Sequence, residues 1–271
     1  MTVGEGVNPE ATSTRSGADG SGGTIRIEDL HRSFDGFPVL KGVSLDLGRG
    51  ELLALIGRSG YGKSVLLKHI AGLLRPDSGR VLIGGEDMAG LRGRRLSRLR
   101  ERLGFLFQGG ALFDSMTVFE NVAFPLREKT RMPEEEIRER VLEELSRVGL
   151  GGAEEKYPSQ ISGGMQKRAA LARELISEPE IMLFDEPTTG LDPIFGHAIL
   201  KLIDDLHRKL GFTGVLVTHE IHKVFEVVDR VAFLHEGRIQ AQGRPDEILD
   251  SEDPLVRQFV QGEIEGPISV E

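Results

Sequence analysis

Alternating apolar and polar positions mark the beginning of the patterned part of the chain. Apolar residues recur at every second position in Ile25-Arg26-Ile27 and again in Val43-Ser44-Leu45-Asp46-Leu47. Asp35-Gly36 lies between the two segments, and Gly48-Arg49-Gly50 follows the second one. A two-residue periodicity bounded by turn-forming residues predicts two antiparallel strands.

Short, continuous apolar runs replace this alternation further along the chain, and runs of this length indicate buried strands. The runs are Glu51–Ile56, Gly104–Phe107, Ile181–Phe184 and Val215–Thr218. Segments with apolar residues at helical spacing follow them. These are Val65–Ile70, Pro133–Leu150, Ala169–Arg173 and Ile194–Leu210. The succession of strands and helices predicts an α/β fold.

The C-terminal third of the chain contains three further predicted elements. Val231–Leu234 and Arg238–Ala241 form a hairpin across Glu236-Gly237. Pro245–Leu249 is a short helix, and Pro254–Val260 is a last amphipathic segment before the acidic end. We assign residues 251–271 to a C-terminal tail that follows the main domain.

Composition narrows the classes of protein that the chain can belong to. Apolar residues make up 39% of its 271 residues and charged residues 28%, as in soluble globular proteins. No run approaches the roughly 18–20 apolar residues of a membrane span, and no signal peptide is evident. A net charge of −9 argues against a nucleic-acid partner, and the absence of cysteine excludes disulfides and thiolate metal sites. Residues 1–23, rich in Gly, Ser and Thr, predict a flexible N-terminal tail.

One basic segment stands out against the acidic average. Six arginines lie between Arg92 and Arg102, with leucines spaced so that they can face inward. No aromatic residues are interleaved, so a solvated helix face is the favoured interpretation. A contact with lipid headgroups or with an acidic partner is the alternative.

The segment Gly57-Arg58-Ser59-Gly60-Tyr61-Gly62-Lys63-Ser64 carries the clearest chemistry in the sequence. It fits the phosphate-binding pattern G-x-x-x-x-G-K-[ST], with a predicted strand before it and a predicted helix after it. Glycines allow backbone N–H groups to surround an anion, and the helix N-terminus adds a positive dipole. Lys63 is expected to neutralise the outer phosphates of a nucleotide, and Ser64 to place its hydroxyl on Mg²⁺.

Polar residues at the ends of three buried runs complete the candidate site. Asp185 and Glu186 follow an apolar strand, and adjacent strand residues point in opposite directions, so the two acids must differ in role. Asp185 is expected to contact Mg²⁺, and Glu186 to activate water. His219 ends another strand and is either structural or a hydrogen-bond donor to the γ-phosphate. Gln108 is a lone amide that ends a third run, ahead of a glycine pair.

Two further features have both a structural and a functional interpretation. Ser162-Gly163-Gly164 opens a helix, either as an ordinary cap or as a second phosphate clamp at a helix N-terminus. Phe34 lies at the end of the first strand, where it either packs or stacks on a nucleotide base.

In this order the motifs resemble an ATP-binding subunit of an ABC transporter, over Ile25 to about Leu249. The resemblance matches Gln108 to the Q-loop, Gly190 to Asp192 to the D-loop and Ile161 to Met165 to the family signature. That signature departs from the usual Leu-Ser-Gly-Gly-Gln at its first and last positions. The resemblance implies catalytic roles for Glu186, His219 and Gln108 and magnesium contacts from Ser64, Gln108 and Asp185. It implies nucleotide contacts from Phe34, Gly57, Ser59, Gly60, Gly62, Lys63, Ser64, Val65, Ser162, Gly163, Gly164 and Asp192.

A narrower resemblance rests on motifs that are less specific than the phosphate loop. The segments 107–113, 118–128 and 162–165 are similar to ATPases of the Mla (maintenance of lipid asymmetry) type, which serve lipid transporters with MCE-domain partners. So are Arg257-Gln258-Phe259, Gly262 and Gly266-Pro267 near the C-terminus.

The resemblance implies a RecA-like core, an antiparallel β-subdomain and an α-helical subdomain at about residues 109–165, within a domain of residues 24–250. It also implies ATP and Mg²⁺ as cofactors and head-to-tail pairing with a second copy. The expected location is the cytoplasmic face of a bacterial-type inner membrane, where the chain would be a peripheral subunit. The expected partners are permease subunits and an MCE-domain protein, with a small regulatory subunit as an optional further partner.

The expected function is ATP hydrolysis that powers phospholipid transport. An importer ATPase for amino acids or another small solute is the alternative. A non-transport ABC ATPase acting on ribosomes or DNA fits less well, because such proteins usually carry two such domains or long coiled coils.

Overall fold

A computed structural model describes residues 24–269, so the predicted N-terminal tail lies outside the described residues. The strands are β1 Ile25–Phe34, β2 Phe37–Leu47, β3 Leu52–Ile56, β4 Ser78–Ile83, β5 Glu86–Asp87, β6 Leu103–Leu106, β7 Ile181–Asp185, β8 Thr213–Val217, β9 Arg230–His235 and β10 Arg238–Gly243. The helices are α1 Lys63–Ile70, α2 Arg94–Glu101, α3 Val118–Lys129, α4 Glu134–Arg147, α5 Gly163–Leu175, α6 Pro193–Leu210, α7 Ile221–Val224, α8 Pro245–Leu249 and α9 Pro254–Gln261.

The alternating N-terminal segments form the antiparallel sheet that their pattern predicts. Its strand order is β2-β1-β4-β5. Ile25 pairs with Leu47 and Ile27 with Leu45, and all four side chains are buried. The third strand, β4, begins at Ser78, which pairs with His31 of β1.

The continuous apolar runs form a second sheet, of order β10-β9-β3-β8-β7-β6. The strands from β9 to β6 are parallel to one another, and the hairpin places β10 antiparallel to β9 as predicted. Every residue of β3, β7 and β8 is buried. Because parallel strands end at the same edge, the residues that follow β3, β7 and β8 lie close together.

Two apolar clusters form the core, one between the two sheets and one between the six-stranded sheet and the helices. One fills the space between the two sheets and includes Leu66, Leu67 and Ile70 of α1. The other lies on the opposite face of the six-stranded sheet, under α3, α4, α5 and α6. The chain thus forms the phosphate-loop α/β fold with an antiparallel sheet on one face and helices on the other.

The helical part contains one element that the sequence pattern did not separate from its surroundings. α3 precedes the predicted α4, and Thr117 and Glu120 form a capping box at its start. Asn121, fully buried, donates to the carbonyl of Phe113 at 3.0 Å and accepts from its N–H at 2.7 Å. These contacts explain Glu120 and Asn121 in the segment 118–128, because they fix the loop that leads into α3.

The arginine-rich segment forms α2, in which Leu99 is buried and the arginines are exposed. This agrees with the solvated-face interpretation. None of the helices within residues 24–269 is both long enough and apolar enough to cross a membrane.

Candidate functional site

The phosphate loop connects β3 to α1, as the motif requires. Gly57 leaves the strand with φ 152°, and a Cβ there would lie 2.2 Å from the carbonyl oxygen of Leu234. Only glycine fits this close approach to β9. The loop is therefore packed against the neighbouring strand at its first residue, while Ser59 and Gly60 at its tip remain exposed. Gly62, in the left-handed region, leads directly into α1.

Lys63 places a buried cation inside this loop. Its ammonium group donates to the carbonyl of Gly57 at 2.7 Å and to that of Arg58 at 3.0 Å. Burial lowers the pKa of Lys63, and the negative charges of Glu186 and Asp185 oppose that shift. The side chain thus braces the loop and sits in the field of the two acids at the end of β7. Val65, the third residue of α1, packs against the inter-sheet core.

Ser64 and Asp185 lie in contact across the sheet edge, with Ser64 Oγ donating to Asp185 Oδ1 at 2.7 Å. Hydroxyl and carboxylate oxygens are ligands that Mg²⁺ prefers, and Mg²⁺ bound to a nucleotide uses few protein ligands. This pair therefore fits the predicted magnesium site. In residues 24–269 there is no group of three or more metal-ligating His, Asp or Glu side chains that suggests another metal.

Glu186 has a strained backbone and two side-chain partners. Its φ is 50°, in the left-handed region that non-glycine residues rarely adopt, and its N–H donates to the carbonyl of Val217 at 3.0 Å. Glu186 Oε2 accepts from Thr189 Oγ1 at 2.8 Å and lies 3.2 Å from His219 Nδ1. The structure thus brings the proposed base and the strand-end histidine together, as their positions after β7 and β8 allow. Sequence reasoning missed Thr189 as a partner.

Gln108 follows β6, and its side chain is exposed. None of the hydrogen bonds among residues 24–269 joins that side chain to Ser64 or Asp185, so its role as a metal ligand remains a prediction. The main chain of Gln108, unlike its side chain, has a hydrogen-bond partner, because Lys167 of α5 donates to its carbonyl. Arg173 of α5 donates to the carbonyls of Gly110 at 3.0 Å and Ala111 at 2.7 Å.

These two basic residues are functional candidates that sequence reasoning missed. Both are almost fully buried, and burial lowers the pKa of Lys167. The sequence did contain a signal for them, because Lys167 and Arg173 lie on a helix whose alanines indicate that it is buried. A buried cation needs partners, and here the partners are the carbonyls of the segment after β6.

Ser162 is the N-cap of α5, and its Oγ accepts from the N–H of Met165 at 3.3 Å. A Cβ at Gly163 would lie 3.5 Å from Leu191, and one at Gly164 would lie 3.8 Å from Phe195. The predicted clamp is therefore a formed helix N-terminus whose glycines lie against the start of α6.

Asp192 caps α6, because its Oδ1 accepts from the N–H groups of Ile194 at 3.0 Å and Phe195 at 3.2 Å. Its predicted nucleotide contact is untested. α5 packs on α3, α4, α6 and β6, whereas α1 packs on β4, β7 and β8. The clamp and the phosphate loop thus belong to different parts of one copy.

Phe34 lies half-exposed at the end of β1. The guanidinium of Arg32 lies 4.6 Å from the centre of its ring. The ring is therefore partly accessible at the end of β1, and its stacking on a nucleotide base remains a prediction.

Three features define the class of the protein: the phosphate loop, the two adjacent acids at the end of β7, and helix α5, which begins with two glycines. The chain belongs to the ABC transporter family, whose model matches residues 40–189. It is an ATP-hydrolysing subunit of that family.

The most similar curated relatives include three proteins with different names. The probable ribonucleotide transport ATP-binding protein mkl of Mycobacterium leprae is 44% identical over 94% of this chain and 74% of its own length. The intermembrane phospholipid transport ATP-binding protein MlaF of Haemophilus influenzae is 43% identical over 83% of this chain and 86% of its own. The chloroplastic protein trigalactosyldiacylglycerol 3 of Arabidopsis thaliana is 45% identical over 90% and 75%.

Solved structures agree with the fold. The dimeric ATP-binding cassette MJ0796, bound to ADP and Pi in a post-hydrolysis state, is 34% identical with a TM-score of 0.75, covering 82% of this chain and 98% of that one. The cbiO1 subunit from Clostridium perfringens, part of the transporter complex cbiONQ, is 34% identical with a TM-score of 0.78, covering 89% and 96%.

Proposed function

We propose that this ATPase powers phospholipid transport through separate permease subunits associated with an MCE-domain protein. The observation that carries the proposal is the identity of 42–45% to relatives that include phospholipid transport ATPases from two bacteria. Asn121 and Gln258 belong to the segments that resemble the Mla type, and both are buried and hydrogen-bonded in this chain. The subunit would act as a peripheral protein on the cytoplasmic face of the membrane.

ATP is proposed to bind between two copies arranged head to tail. Each copy has one phosphate loop and, in a different part of the chain, one glycine-started helix that begins at Ser162. A helix N-terminus binds anions, so Ser162 of one copy would close on a nucleotide held by Lys63 of the other. The dimeric state of the similar cassette bound to ADP and Pi supports this arrangement.

The chemistry is assigned to residues at one sheet edge. Lys63 and the loop N–H groups hold the phosphates, and Glu186 takes the proton of the attacking water. His219, whose Nδ1 lies 3.2 Å from Glu186 Oε2, would donate a ring N–H to the γ-phosphate. Mg²⁺ held by Ser64 and Asp185 would neutralise charge on the phosphates, with Gln108 as a proposed further ligand. Phosphoryl transfer has a loose transition state, so positioning and charge supply most of the catalysis.

We keep a second candidate function because several of the most similar relatives are named as ribonucleotide transport ATPases. This candidate takes the place of the general alternative, an importer for amino acids or another small solute. Both use the same hydrolytic machinery and differ only in the permease and its cargo.

The deciding experiment purifies the subunit from its own membrane with its partners and analyses the copurifying molecules. We expect permease subunits, an MCE-domain protein and bound phospholipid. ATP hydrolysis by the purified complex should rise in phospholipid vesicles. A solute-binding protein in place of the MCE-domain protein, with ATPase stimulation by a ribonucleotide or an amino acid, would reject the lipid proposal.

A further inference from the structure

The last described residues form a closed structure, residues 254–269, which we name the C-terminal hook. Its first part is α9, capped by Asp253, and its return segment folds back onto that helix. Gln258 is 3% exposed and links the two parts. Its side-chain amide accepts from the N–H of Ile268 at 2.7 Å and donates to the carbonyl of Ile268 at 3.0 Å and of Glu263 at 3.3 Å. The segment is therefore an ordered element with a polar centre.

Two glycines of the hook, Gly262 and Gly266, allow its backbone to turn and to approach Gln258 closely. Gly262 ends α9 in the left-handed conformation. Gly266 has φ 155°, and a Cβ there would lie 2.4 Å from Cδ of Gln258. Any larger residue would displace the amide that closes the hook, so Gln258, Gly262 and Gly266 form one structural unit.

Aromatic contacts connect the hook to the phosphate loop. Phe259 of α9 stacks on Phe233 of β9, with ring centres 4.7 Å apart. Phe233 contacts His235 at 5.8 Å, and His235 meets the ring of Tyr61 edge-on at 5.1 Å. Tyr61 belongs to the phosphate loop, so a continuous row of rings runs from α9 to the nucleotide site.

A hydrogen bond makes the same connection from the end of the hook. Arg58, in the phosphate loop, donates to the carbonyl of Ser269 at 3.3 Å, and its guanidinium lies 5.6 Å from the ring of Tyr61. The carbonyl of Arg58 accepts from Lys63 at 3.0 Å. The hook thus holds the residue whose main chain holds the phosphate-binding lysine.

We propose that the C-terminal hook is a positioning element for the phosphate loop and that Arg58 is the residue through which it acts. A loop already held in its binding conformation loses less entropy when the phosphates arrive. Without the hook the loop should bind ATP more weakly. The groups assigned to the chemical step follow β7 and β8 and do not touch the hook, so turnover at saturating ATP should be retained. The proposal requires ATP hydrolysis and is independent of the transported molecule.

The first test compares the full chain with a chain that ends at Gln261. We expect KM for ATP, and Kd for ATP measured by calorimetry, to rise about five-fold, the size of effect expected for loss of one typical hydrogen bond. kcat should change less than about two-fold, which is below 0.5 kcal/mol in the barrier. Ser269→Ala, which keeps the carbonyl, is the matched control and should behave as the parent. An unchanged KM in the shortened chain would overturn the proposal.

The second test combines the shortened chain with Arg58→Met, which removes the donor and keeps the length of the side chain. Arg58→Met alone should raise KM to the same extent, and the combination should raise it no further, because both changes break one connection. Independent effects that multiply in the combination, or a fall in kcat at unchanged KM, would contradict the proposal. If the shortened chain does not fold, Gln258→Met replaces it in the same cycle.

Discussion

Glu186 shows at the scale of one residue how strain, contact and chemistry coincide. A non-glycine residue in the left-handed region persists only where surrounding contacts hold it, and here Val217, Thr189 and His219 do so. The role of Glu186 could be predicted from the sequence, because two adjacent acids follow an apolar run. Its backbone conformation could not be predicted, because glutamate carries no sequence marker for positive φ.

Glu186→Gln tests the assignment of this residue as the base. The amide keeps the size of the side chain and can still contact His219 and Thr189, but it cannot take a proton from water. We expect kcat to fall by at least about 100-fold, the usual contribution of a general base, while ATP binding is retained. Size-exclusion chromatography with ATP should show a trapped dimer. Turnover at the parent rate would reject the assignment, and Glu155→Gln, at an exposed position far from these contacts along the chain, serves as the control.

α5 is the element that joins two distant motifs. It begins at Ser162, and further along its length Lys167 and Arg173 hold the main chain of the segment after β6. α5 therefore connects the predicted clamp at Ser162 to the main chain of Gln108 by direct contact. The helix itself was predictable from its cap and apolar spacing. The use of its buried cations was not, because their partners are carbonyl groups about 60 residues earlier, which sequence patterns do not reveal.

Lys167→Met tests this connection. The substitution keeps the buried stem and removes the donor to the carbonyl of Gln108. We expect kcat to fall about ten-fold, equivalent to roughly 1.4 kcal/mol, because Gln108 is less well placed. KM for ATP should stay near the parent value, because Lys63 and its loop are untouched.

Steady-state ATPase assays and thermal unfolding measure both quantities for Lys167→Met. Lys209→Met, an exposed lysine on α6, is the control and should change neither. A folded Lys167→Met protein with normal kcat would show that the contact does not position Gln108.

The arrangement of the whole molecule depends on strand order, and the sequence, through its resemblance to a family, predicted only a RecA-like core. Buried runs identify β3, β7 and β8 one by one, but they do not state that β8 lies between the other two. That order places Ser64, Asp185 and His219 at one edge. The C-terminal segment illustrates the same limit. Its helical pattern was visible, but the contact between Ser269 and Arg58 spans 211 positions and required the folded chain.

The proposed pairing of two copies makes a prediction at this scale that separates it from a site within one copy. Ser162→Arg adds a bulky side chain at the clamp, and Lys63→Ala removes the phosphate-binding cation. If the site is shared, a dimer with one change in each copy keeps one intact site, because the unaltered Lys63 and the unaltered Ser162 face each other. A dimer with both changes in one copy and none in the other has a defect in both sites.

Two differently tagged chains, purified through both tags, give each dimer without the parent homodimer. We expect the dimer with divided changes to bind ATP tightly at one site and to retain measurable hydrolysis. The dimer with both changes in one copy should retain neither, although it contains a fully unaltered chain. If Ser162 served the loop of its own copy, the result would be reversed, since only the second dimer would then hold an intact site. The order of the two activities therefore decides whether the phosphate loop of one copy is completed by the clamp of the other.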